Sequence, residues 1–378
     1  MKYDKNEKLF NIYVFFTTFS RNLIEVFIGT ILFKAGFSFH EVVLYFVIGY
    51  AFSTILAIPC VAFSKRFSNK ILAFVGVIAF IALQIILNHP VVSIPYLFLV
   101  GFVFALYRKA YWVSRRYYTL RLISHQQNVA RKYSVMSVIN QLGVIVSSYA
   151  GSIFLEFFSI EIITMISFGL LTLSTGILHF IKFKAEEPSK IKLQPFRAMR
   201  KTPASSMLHI IFYELGNIGK CLFPLYLVMY VKNTYTMIGF VGLFANIAAL
   251  VFIYMYGRLI NKKRNFLKLS LLLYIIMKVL QVNTEGIALM IISFFEGFVL
   301  KLYEQSFHKD YLILSRRFDP YNFNLLYELV MDVGRLAVIF FLFFCFDDPK
   351  TMIYVNFAIM SLGLLFKFKT APRKTANR

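Results

Sequence analysis

The chain is poor in most of what a soluble protein of its length needs. Only 16% of its 378 residues are charged, against about 25% in ordinary soluble domains. Acidic residues number 18, and cysteine is down to Cys60, Cys221 and Cys345, with no paired spacing. That excludes a disulfide framework and a cysteine-based metal knuckle. The six histidines show no His-x-x-x-His or similar spacing, and neither Gly-x-Ser-x-Gly nor a phosphate-binding Gly-Lys-Ser/Thr run is present. A membrane-embedded enzyme should leave such a constellation, so the chain reads as a non-enzyme without cofactor or metal. No cleavable leader is visible either, because the first apolar run is too long for one and contains Arg21 and Glu25.

Apolar residues, by contrast, make up 59% of the chain, and they fall into runs about as long as a bilayer core requires, some 20 residues. Twelve windows result: 9–33, 41–63, 71–88, 93–112, 134–158, 161–182, 207–230, 235–257, 265–282, 285–305, 323–346 and 351–367. Continuous apolar runs exclude a barrel of tilted strands, which would alternate polar and apolar. The expected class is an all-α polytopic membrane protein of 12 transmembrane helices.

The formal charge of +23 comes from 41 Lys and Arg and would suggest nucleic acid on a soluble protein. Here it is sorted by loop. Counting Lys182, Lys268 and Lys367 at the window edges with the adjoining loops, 31 cations fall in the tails and even-numbered connections, three (Lys34, Lys232, Lys350) in the odd-numbered ones, and seven within spans. The positive-inside rule puts both termini and the central connection in the cytoplasm. The excess suits anionic headgroups and makes a nucleic-acid partner unnecessary. Composition and short loops fit the cytoplasmic membrane of a bacterium.

A polar stretch at 184–203 separates six windows from six, dividing the chain into bundles 1–183 and 204–378. Short repeats echo that division. Arg66-Phe-Ser-Asn-Lys70 after the second window matches Arg258-Leu-Ile-Asn-Lys262 after the eighth. Gly101-Phe-Val-Phe-Ala-Leu-Tyr107 matches Gly297-Phe-Val-Leu-Lys-Leu-Tyr303, displaced by 196 residues.

Charges inside the spans are the functional signal, since each is costly unless paired or facing water. The first window holds Arg21 and Glu25, the fourth Arg108 and Lys109. The seventh holds Glu214, Asn217 and Lys220; the tenth Glu296, Lys301 and Glu304; the eleventh Glu328, Asp332 and Arg335 as one stripe. Lys278 in the ninth stands apart and is expected to snorkel to the outer interface.

Twelve windows in a 6 + 6 plan, with a basic central connection and basic Arg-x-x-Asn-Lys turns, resemble the major facilitator superfamily over essentially the whole chain. The resemblance implies two pseudo-symmetric six-helix bundles, a monomer, and a central cavity lined by spans one, four, seven and ten. It also implies gate turns at Arg66, Lys70, Arg258 and Lys262, although the acidic residue of the family's second-to-third-span turn is missing. The proline of the family's antiporter signature in span five is absent too.

The expected function is secondary active transport of a small solute or amphiphile by alternating access, coupled to protons, with export or antiport favoured. Glu25, Glu214, Glu296 and Asp332 are the proton-coupling candidates. Arg21, Arg108, Asn217, Lys220, Lys301, Glu304 and Arg335 are the substrate or ion-pair candidates. Seven intramembrane cations favour a solute with an anionic part. The alternatives are an uptake symporter for a small anion and a non-transporting membrane sensor or assembly protein.

Overall fold

The computed structural model describes residues 5–124, 129–181, 193–231, 234–259 and 266–368. Among them the chain forms helices and no strand. In order these are α1 (Lys5–Asn22), α2 (Ile28–Lys34), α3 (Phe39–Arg66), α4 (Asn69–Asn88), α5 (Ile94–Thr119), α6 (Val129–Phe157) and α7 (Ile160–His179). A short α8 (Pro195–Lys201) precedes α9 (Ala204–Tyr226), α10 (Tyr235–Leu259), α11 (Leu267–Val282), α12 (Gly286–Ser315), α13 (Pro320–Cys345) and α14 (Pro349–Ser361).

Eight helical segments among the described residues are long and apolar enough to cross a membrane. Windows 207–230, 265–282, 323–346 and 351–367 also hold helices, α9, α11, α13 and α14. These are the short ones (α11 with 16 residues, α14 with 13) and the ones that carry buried charge (α9 and α13). The architecture is therefore all-helical and membrane-spanning, as the composition implied.

Local chemistry starts several of these helices. Ser38 caps α3 in a capping box with Glu41. Asp319 and Asp348 cap α13 and α14, each followed by proline at the first helical position, where a missing N–H costs nothing. The outer faces are oily: Ile55, Phe74, Ile78, Met165 and Phe168 are all more than 45% exposed, as side chains turned to lipid tails should be.

The windows err at two places that matter. The first was read as one helix over 9–33, but the helix breaks after Asn22 and passes through a turn at Glu25–Phe27 before restarting at Ile28. No proline or glycine announces the break. It is held by the Asn22 side-chain amide donating to the Thr18 carbonyl at 2.8 Å and by Gly151 of α6, where a Cβ would run into the Leu23 carbonyl. The fourth window was ended at 112, yet α5 continues to Thr119 and into a wider turn at Leu120–Ser124. Arg115 and Arg116, counted as loop cations, therefore lie inside the bundle. A helix can carry them there because each finds a partner, as shown below.

The two repeats meet their neighbours in the same way. A Cβ at Gly101 of α5 would meet Ile48 and the backbone of Gly49 on α3; one at Gly297 of α12 would land on the Ala245 backbone of α10. Both members of each contact are displaced by 196 residues, so the sequence repeat is also a repeated helix crossing. Gly297→Val should push α12 off α10 and lower the yield of monodisperse detergent-purified protein several-fold, whereas Gly176→Val, with nothing within 4 Å, should leave it unchanged; size-exclusion chromatography of the two variants checks this.

Candidate functional site

A cavity of about 520 Å³ lies between the helices before and after the central connection. Its walls come from the broken first span and from α3, α5, α6, α9, α10, α11, α12 and α13; α4, α7 and α14 contribute nothing to it. Part of the wall is apolar, with Phe27, Phe46, Phe223, Leu227, Ile238 and Val241. Part is charged. Eight cations and four carboxylates face the cavity.

Four sets of partners organise these charges. In the first, Arg21 pairs with Glu25 four residues on, at 2.5 Å, and donates to the Tyr107 hydroxyl, which itself donates to Glu25 at 2.9 Å. The Arg21 guanidinium also lies over the rings of Tyr111 and Trp112, at 4.0 and 5.0 Å from their centroids. In the second, Arg335 pairs with Glu214, which accepts further from Tyr327 at 2.7 Å and from Asn217. In the third, Glu304 bridges Lys220 at 2.9 Å and Lys301 at 2.5 Å. In the fourth, Glu296 pairs with Lys278 at 3.1 Å, and Lys278 donates to Gln281 at 2.7 Å. Lys278 thus points inward and is buried. The expected snorkelling does not occur, because Glu296 offers the ammonium a partner closer than the interface.

A fifth cluster lies beside the cavity and ties the first six spans to the last six. Lys109 of α5 pairs with both Glu328 and Asp332 of α13, and Arg116 pairs with Glu328. Ser53 of α3 donates to Asp332, Asn324 donates to the Val113 carbonyl at 2.8 Å, and Asn69 donates to the Tyr321 hydroxyl at 3.3 Å. Asp332 and Glu328 are fully buried and do not line the cavity. Lys109 and Glu328 were singled out as charges within spans but given no role, and Arg116 was counted as a loop cation. The usable signal was helical spacing: Lys109 and Arg116 stand seven apart and share a face of α5, opposite the Glu328-Asp332 stripe.

The remaining candidates are placed as follows. Arg108 lines the cavity, with its guanidinium over Tyr50 and Phe104. Arg115, also on the wall, donates to Asn140 at 2.8 Å, and Gln141 of α6 donates to the Asn246 side chain of α10 at 2.7 Å. At the predicted gate turns, Arg66 lies over the Phe67 ring and Lys70 donates to the His179 carbonyl at 3.0 Å. The Arg258 side chain and Lys262 lie outside the described residues.

The sequence matches the Major Facilitator Superfamily over residues 10–299. The chain belongs to this superfamily. The superfamily's fold recurs in solved structures. The human organic anion transporter MFSD10 (TETRAN) superposes with a TM-score of 0.66 at 11% identity, covering 96% of this chain and 99% of that one. A bacterial homologue of the iron transporter ferroportin, in an outward-facing state with soaked iron, gives 0.63 at 12% identity, with 95% and 97% covered. The same homologue in an outward-facing state gives 0.64 at 11%, with 96% and 98% covered. No curated protein sequence matches the chain. A superfamily member is a transporter and not an enzyme.

Removing one member of a buried ion pair leaves an uncompensated charge and costs about 3–5 kcal/mol. Lys109→Met strands Asp332 and should lower the midpoint of thermal unfolding by several degrees in detergent. Lys109→Met combined with Asp332→Leu should recover much of that loss, since neither charge is then left alone; scanning fluorimetry of both variants checks this.

Proposed function

We propose that the chain is a secondary active transporter that carries an organic anion with an apolar portion, by alternating access of the bundles 1–183 and 204–378. The observation that carries this reading is the cavity wall itself. Cations outnumber carboxylates two to one on it, and they share it with aromatic and aliphatic surface. A charged head and an apolar tail match those two surfaces, and a purely cationic drug matches neither excess. The likeness to an organic anion transporter agrees with this choice of solute.

In this reading both termini lie in the cytoplasm of a bacterial cell, in the cytoplasmic membrane, and the protein works as a monomer. Contacts join the two halves at both ends of the cavity. Near the termini these are Arg116 with Glu328 and the Tyr117 ring against Tyr321, 4.7 Å between centroids. At the other end they are Lys34 over Tyr235 at 3.9 Å and His40 with Asp347 at 3.1 Å. Each opening breaks one set and keeps the other. Protons drive the cycle through Glu25, Glu214, Glu296 and Asp332, each of which faces a cation that rocking or solute can remove. A carboxylate losing its cation in a low-dielectric site becomes a stronger proton acceptor. Export is the favoured direction.

Proteoliposomes loaded with a panel of aryl and alkyl carboxylates, sulfonates and phosphonates test the reading, with lumenal pH followed by a trapped dye. The expected result is anion flux accompanied by pH change, with Glu296→Gln or Asp332→Asn cutting the proton movement at least about tenfold, the scale of an essential proton-transfer group. Coupling unchanged in both variants would overturn the proton assignment. No flux of any anion in either direction would favour the sensor or assembly reading, and flux down an inward proton gradient would favour uptake.

A further inference from the structure

Arg108 differs from the other cations of the cavity wall in having no carboxylate within 4.0 Å among the described residues. Arg21, Arg335, Lys278, Lys220 and Lys301 each face a glutamate, and Arg116 is held by Glu328. Arg115, the remaining one, is satisfied by the neutral oxygens of Asn140 and Tyr111. Glu25, the carboxylate that acts on Arg108 electrostatically, is beyond pairing distance and already taken by Arg21 and Tyr107. Instead Arg108 meets a second cation. Its guanidinium lies 5.4 Å from the centre of the Tyr50 ring, and that of Arg335 lies 5.6 Å from the same centre. The two charges are therefore no farther apart than those distances together.

Two guanidiniums around one ring, with one unpaired, is an arrangement that repels itself until a counter-charge arrives. Arg335 is not wholly satisfied either: it reaches Asp332 only at 3.8 Å, and its Nε is buried without a hydrogen-bond partner. The helices bearing these groups come from both halves: α3 brings Tyr50, α5 Arg108, α9 Cys221 and α13 Arg335. Tyr50 Oη lies 3.8 Å from Cys221 Sγ, and Tyr50, Arg108, Cys221 and Arg335 all line the cavity.

We propose that Arg108 and Arg335 form a site for a doubly charged oxyanion head of phosphoryl type, bound across the two halves beside Tyr50. A tetrahedral dianion presents oxygens to two planar forks at once, each able to take a bidentate pair of hydrogen bonds. A single carboxylate satisfies one fork and leaves the other charge standing. Glu214 is the built-in competitor, since it occupies Arg335 when the head is absent. The site rests on the reading of this cavity as the solute cavity and adds to it the charge and shape of the head and its place in the wall. Because one arginine belongs to each half, a bound head pulls the halves together at mid-membrane and favours closure around the solute.

The test uses wild-type protein in detergent and the alkylation rate of Cys221 by N-ethylmaleimide, read by peptide mass spectrometry, so that Cys60 and Cys345 serve as internal references. Phenylphosphonate at ten times its dissociation constant should slow alkylation of Cys221 about tenfold and leave Cys345, which is exposed, unaffected. Benzoate at the same concentration and matched ionic strength should protect at least several-fold less. Arg108→Lys, which keeps the charge and loses the fork, should weaken phenylphosphonate protection at least fivefold, and Arg108→Gln should abolish it. Protection that survives in both variants, absence of protection by phenylphosphonate in the wild type, or equal protection by benzoate would each overturn the proposal. Protection with no anion flux in proteoliposomes would overturn the transport reading and leave the site standing; flux with protection indifferent to Arg108 would do the reverse.

Discussion

A charged side chain surrounded by hydrocarbon must be paired or wet, because its hydration is lost and nothing in lipid replaces it. That constraint organises this bundle. Lys109 of α5, clamped by Glu328 and Asp332 of α13 with Arg116 alongside, is the point where it acts on both halves at once. Lys109, Glu328 and Asp332 are buried, so the cluster cannot be broken by a small adjustment. Either the partners remain together or the helices move far enough for water to take their place. The same ion pairs that hold the halves together are therefore the ones that a change of access must disrupt.

The cavity is the complement of that cluster. Its charges are also mostly paired, but they face open space, and their pairing is partial: Glu304 serves two lysines, Arg335 shares Glu214 with Tyr327 and Asn217, and Arg108 has no carboxylate within 4.0 Å among the described residues. An anion entering this space meets positive charge that the protein has left incompletely neutralised. The break in the first span belongs to the same design. Irregular backbone is tolerated at membrane depth only where it is buried in protein or lines a cavity, and Glu25, at the start of that turn, is both on the cavity wall and held by Arg21.

Much of this was legible in the sequence, for physical reasons. Span length and apolar composition are local properties, so every window holds helix, and the family plan put spans one, four, seven and ten at the cavity, where α5, α9, α12 and the broken first span do stand. Arg21 with Glu25 was readable because four residues apart on a helix means one face. Partners were not readable. Lys109 and Glu328 are 219 residues apart, and nothing local in α5 says which stripe of which helix will face it. Lys278 was misplaced for the same reason: hydropathy suggested the nearest water, while the structure supplied Glu296. The end of α5 was misplaced because Arg115 and Arg116 look like loop residues until Asn140 and Glu328 are seen opposite them. The break after Asn22 has no proline or glycine of its own; the glycine that lets its backbone approach, Gly151, is on another helix.

The central claim is that the two halves exchange access by parting and rejoining at the Lys109 cluster. Spin-label distances across the halves test it most directly, in nanodiscs, with one pair of labels at Phe67 and Arg317 near the termini and another at Val91 and Ile287 at the opposite end, all exposed positions. The account predicts two populations at each end, long at one when short at the other, and a shift toward the long distance at the Phe67–Arg317 end in Lys109→Met. A single distance at both ends, unchanged by that substitution, would contradict it.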